Sequence, residues 1–145
     1  MLCGGVMNKA ASALIVIHFV VVVLHSFAHQ LLSVTASPAQ LAFIFPVIIV
    51  APVVAGFVLP KFARFGAVLL TASMIGSFVF GVYYHFIAET IDHVAHVAQL
   101  EPHRWSQIFL ATSYLLAISE LLGAMVGVIL LLRTSTRARR GNPGL

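Results

Sequence analysis

Residues 41–59 read "LAFIFPVIIVAPVVAGFVL", nineteen positions without one ionisable side chain. A hydrocarbon layer about 30 Å thick takes about 20 helical residues to cross, so this stretch has the length of one crossing and is too apolar for the surface of a water-soluble domain. Three further runs of that kind accompany it, at Ala10 to Leu32, Phe65 to Ala88 and Trp105 to Leu132. The rest of the 145-residue composition agrees. Hydrophobic residues make up 61%, charged residues 8%, and the mean hydropathy is +1.06; soluble proteins carry about 25% charged residues.

The expected fold is therefore all-α, a single four-span membrane domain over residues 1–133. The turn-forming "SVTASPAQ" and "PKFARF" join neighbouring spans by short links, which gives an up-down-up-down four-helix bundle. Residues 134–145, "TSTRARRGNPGL", read as a basic, disordered tail. Met7 opens a more natural first segment than Met1 does. A cleaved leader is the rival reading of the first run, since Lys9 precedes an apolar core, but His18, His25 and His29 interrupt that core.

Charge sets the orientation. Lys9, Lys61, Arg64, Arg133, Arg137, Arg139 and Arg140 all fall on one side of four spans, and the positive-inside rule places both termini in the cytoplasm. Residues 85–103 then face the exterior, or the periplasm of a bacterial cytoplasmic membrane. The net charge of +4 lies at helix ends and in the tail, where it meets anionic headgroups rather than nucleic acid. One cysteine, Cys3, excludes an internal disulfide and thiolate-rich metal sites.

Against this background the segment "HFIAETIDHVAHVAQLEPH", residues 85–103, stands out: four histidines and three carboxylates in nineteen positions. His85, Glu89, Asp92, His93 and His96 recur at helical spacing, as do His18, His25 and His29 on the first span, so each helix carries one polar stripe. In a membrane such stripes face the bundle interior or a watery cavity. At 1.5 Å rise per residue, His29 lies ~30 Å above Lys9 and His85 ~32 Å above Arg64. The two stripes share a level.

That geometry gives a divalent metal site with His25, His29, His85, Glu89 and His93 as ligands. Imidazole plus carboxylate suits zinc, iron, manganese or copper. Asp92 is read as orienting an imidazole from behind, and His18 with Glu120 as a buried contact or proton relay. A b-type haem between one histidine of each helix is the alternative cofactor. For His93, His96 and His103 the bland reading is a helix end emerging into water.

The second span, with Pro46 and Pro52, is scaffold, bent and chemically silent. Ser119, Gly123 and Gly127 repeat every four residues and let another backbone approach, either inside the bundle or across a homodimer or larger membrane complex. GxSxG, GxxxxGK[ST], HExxH and GxGxxG are all absent. Three functions stay open: a metal centre with a redox, hydrolytic or metal-handling role, haem electron transfer, and a non-catalytic membrane subunit or assembly factor.

Overall fold

The computed structural model describes residues 2–140, with side chains from 7 to 136. Every regular element among them is helical: α1 (Leu2–Leu31), α2 (Pro38–Val58), α3 (Ala63–Ile87), the short α4 (Val94–Val97) and α5 (His103–Arg140). The four long helices are each long and apolar enough to cross a membrane, within a few residues of the runs read from the sequence. α5 packs on both α3 and α1, and the second half of α2 packs on α3.

Local chemistry explains the ends. Ser37 starts α2 with a reciprocal capping box, its Oγ accepting from the Gln40 N–H while the Gln40 Oε1 accepts from the Ser37 N–H, and Pro38 fills the first turn, where its missing donor costs nothing. The middle of α2 widens over Ile44–Val50, where the Ala51 N–H reaches the Pro46 carbonyl five residues back. In ordinary helical register the Ile48 carbonyl would be met by residue 52, but that residue is a proline without an N–H. His18 on α1 fills the vacancy, donating from Nε2 to the Ile48 oxygen at 3.1 Å. The scaffold helix is thus tied to α1 by a consequence of its own proline.

Two expectations change. The polar stripe of residues 85–96 is not one helix: α3 closes with a wide turn, the Ala88 N–H bonding the Tyr83 carbonyl at 2.7 Å, and Ala88 is extended at φ −77°, ψ 130°. Thr90 diverts the chain, its hydroxyl donating to the Tyr84 carbonyl and accepting from the Asp92 N–H, a side-chain alternative to the helical ladder. Residues 134–140, expected to begin the tail, instead continue α5 as far as Arg140, because no glycine or proline stops the helix before Gly141. The tail's residues 141–145 and the side chain of Cys3 lie outside the described residues.

Polarity is distributed inside out. Phe19, Phe27, Phe45, Phe57 and Leu132 are exposed, whereas His18, His25, Ser77, His85, Asp92, Thr112, Ser113 and Glu120 are buried. Outward apolar side chains are consistent with lipid contact, and polar groups gathered inward are what an apolar solvent enforces.

Backbones approach most closely where α5 meets α3. Ala11, Ile15, Ala55, Leu59, Ala67, Leu70, Met74, Ala124 and Leu130 form one core drawn from all four long helices. A Cβ on Gly123 would lie 2.9 Å from Met74 Cγ, and one on Gly127 would collide with Thr71 Oγ1 and approach the Thr71 backbone nitrogen to 3.1 Å. The small-residue face of α5 therefore seats α3. Ser119, one turn before Gly123, has its Oγ 3.5 Å from His18 Nδ1. Toward the other end a cavity of about 380 Å³ opens between α1, α2, α3 and α5.

Candidate metal centre

His25 and His29 stand one turn apart on α1, and His85 sits in the wide last turn of α3. Such widened turns recur at functional sites. The three imidazoles meet over Phe109 of α5, whose ring centroid lies 4.6, 4.8 and 5.3 Å from those of His25, His29 and His85. His25 and His85 are buried, and Phe109 is fully enclosed. One ligand nitrogen from each histidine lies within 4.8 Å of the other two.

The other nitrogen of each ring is spoken for. His29 Nδ1 is 2.9 Å from the Val34 carbonyl oxygen, and His85 Nδ1 is 3.1 Å from the Asp92 carbonyl oxygen. A carbonyl only accepts, so both rings carry a proton on Nδ1, and in the neutral form each presents a bare lone pair at Nε2. His25 Nδ1 is 2.8 Å from Thr112 Oγ1. The Thr112 hydroxyl has a shorter contact, 2.6 Å, to the Ile108 carbonyl; donating there, it accepts the His25 Nδ1–H, and all three Nε2 lone pairs converge. With the hydroxyl turned to His25 instead, the His25 Nε2–H bridges to His29. Proton placement on His25 thus separates an ion-ready set from a closed hydrogen-bonded one.

His25 Nε2 and His29 Nε2 are 3.2 Å apart. Two imidazoles on a tetrahedral ion, with metal–nitrogen bonds of about 2.0–2.1 Å, hold their nitrogens about 3.3 Å apart. The pair on α1 already has that separation. Outer hydrogen bonds from every ligand ring to a carbonyl or hydroxyl are also what fixes imidazoles in metal sites.

Of the five ligands read from the sequence, three come together. Glu89 is exposed on the segment after α3 and is not part of the cluster. His93 begins α4, its Nδ1 accepting from the Ala95 N–H at 3.2 Å. His96 is exposed, and His103 pairs at 3.1 Å with Glu101 on the surface. Asp92 lies beside the triad: Oδ1 is 4.0 Å from His29 Nδ1 and has no hydrogen-bond partner, while Oδ2 accepts from Gln40 Nε2 at 3.3 Å. His18 is held by Ile48 and approached by Ser119 rather than by Glu120.

Three participants escaped sequence reading: Thr112, which belongs to no polar stripe, and the carbonyls of Val34 and Asp92, which leave no mark on side-chain patterns. Glu120, read from the sequence as a partner of His18, has another setting: it lines the same cavity as His25, His29 and His85. Its Oε2 lies 3.7 Å from where a Cβ on Gly81 would be, and Gly81 is one turn, ~6 Å, before His85. Beside Asp92, the carboxylate that shares the cavity with the triad is therefore Glu120, not Glu89.

No protein-family model matches the chain, and no match is found among curated proteins or solved structures.

Proposed function

We propose that this chain is an integral membrane metalloprotein, crossing four times in an up-down-up-down arrangement with both termini cytoplasmic. His25, His29 and His85 bind one divalent transition ion near the extracytoplasmic face. The single observation carrying this reading is the convergence of three imidazoles, two buried and one half-buried, whose outer nitrogens are each engaged by oxygen.

Three neutral imidazoles with one side open to a cavity favour zinc, copper or iron over manganese, which prefers oxygen donors. An ion held by three protein ligands keeps a place for water or substrate. Asp92 orients His85 through its backbone and stands near the back of His29 with its carboxylate. Glu120 lines the cavity that the triad borders, and a carboxyl there can give or take a proton. This arrangement supports a catalytic role, hydrolytic or redox, more than storage, since a handling site gains nothing from a walled cavity. The placement of lysine and arginine supports a site facing the exterior, which is the periplasm if the membrane is a bacterial cytoplasmic one.

A b-type haem has less support. His25 lies between the other two rings, with centroids 4.7 Å from His29 and 4.9 Å from His85, and so fills the gap that a macrocycle would need. The test is elemental analysis and an absorption spectrum of the protein purified in detergent. The proposal expects one zinc, copper or iron per chain, lost in His25→Ala and His85→Ala. A Soret band would establish haem instead, and metal-free protein with unchanged folding would leave the partner-subunit role.

A further inference from the structure

The cavity that the triad borders is mixed in character. The imidazoles, Asp92, Ser77, Ser113 and Glu120 share its wall with apolar side chains such as Val22, Ile48 and Leu116. Glu120 is 2% exposed and Ser77 0%, yet Glu120 Oε2 and Ser77 Oγ have no hydrogen-bond partner. Buried polar atoms left this way cost free energy. Their common direction is the cavity.

The cavity shares a wall with the apolar exterior. A second hollow lies on the outer face between α1 and α2, lined by Phe19, Val23 and Phe27, which are all exposed, and it shares Val22, Ser26, Gln30 and Ile49 with the cavity. Those four residues are all that separates the two hollows, so a ligand reaching the cavity by displacing their side chains would come from the lipid side and be lipid-soluble.

We propose that the cavity binds a neutral, lipid-soluble alcohol or phenol that enters between α1 and α2 and places its hydroxyl against Glu120 and Ser77. The hydroxyl donates to Glu120 Oε2 and accepts from Ser77, answering both orphaned atoms at once. An anionic or an ammonium head would lose more hydration in this largely apolar cavity than a hydroxyl does. The volume lies within the range of cavities that take small organic ligands, about 300–1,000 Å³. As the substrate of the ion above it, the molecule rests on the metal reading; its binding needs only the cavity.

The experiment measures saturable binding of radiolabelled 4-heptylphenol to the full chain in nanodiscs, corrected with empty discs, alongside 4-heptylanisole, which has the same body without the O–H. The proposal expects the phenol to bind at least about tenfold tighter than the ether, as one hydrogen bond to a carboxylate implies. Glu120→Ala weakens the phenol about tenfold, Glu120→Gln restores most of it by keeping an acceptor, and Ile49→Trp blocks binding; metal content, measured in parallel, is unchanged in all three. Equal binding of phenol and ether, no saturable binding to the wild type, or indifference to Glu120→Ala overturns the proposal. Phenol binding without metal in any preparation would refute the metal centre alone, and metal without phenol binding would refute this proposal alone.

Discussion

Around Met74, Gly123 and Gly127 draw α5 against α3 until a single added carbon has no room; about eleven residues further along α3, ~16 Å by helical rise, the same two helices border a cavity and three imidazoles. The first region uses small residues so that backbones touch, which is how helices associate where lipid offers no hydrophobic drive. The second contains the polar groups and leaves several of them without partners. One end supplies cohesion, and the other keeps its groups available. Stability and function should therefore respond to different substitutions.

The largest expected separation comes from the triad. His25→Ala or His85→Ala should reduce metal affinity about a hundredfold or more, read by elemental analysis and competition with a chelator. Unfolding of the metal-free protein should change little, because a buried polar group is removed along with its cost. Gly127→Leu should do the converse, destabilising the fold by about 1–3 kcal/mol through overpacking against Thr71, read by thermal unfolding in detergent. Equal sensitivity of both properties to both substitutions would erase the distinction between the two ends.

A finer cut lies at Thr112. Thr112→Val keeps the shape but removes the acceptor for His25 Nδ1–H, and loss of such an outer partner costs about 10–100-fold in metal affinity. Acidification acts in the same direction, since protons compete with the ion for the Nε2 lone pairs; lowering pH should release metal with proton uptake, and raising it should restore binding. The smallest effect is expected at Glu89→Gln and His93→Ala, which should leave metal affinity within about twofold. A large loss at either would mean that the segment after α3 folds back onto the ion.

Much of this was legible in the chain. Hydropathy and length alone located the four long helices, and the depth count from Lys9 and Arg64 correctly matched His29 with His85. The helical stripe failed at Ala88, because periodicity extends a helix through Thr90 and Asp92 while those side chains offer the backbone other bonds. Asp92 still arrives beside His85, carried there by a turn. Glu120 was read as a deep carboxylate but not as a neighbour of the triad, since its placement depends on how α5 packs over Gly81. The His18 partner could have been found: Pro52 leaves the Ile48 carbonyl free at a four-residue offset, a signal present in the sequence.

The central claim is that three imidazole nitrogens share one ion. X-ray absorption at the metal edge, on protein loaded with zinc in nanodiscs, tests it most directly. The account predicts three histidine nitrogens at about 2.0–2.1 Å with imidazole outer-shell scattering, falling to two in His85→Ala. An oxygen-only shell, or a spectrum that His85→Ala leaves unchanged, would contradict it.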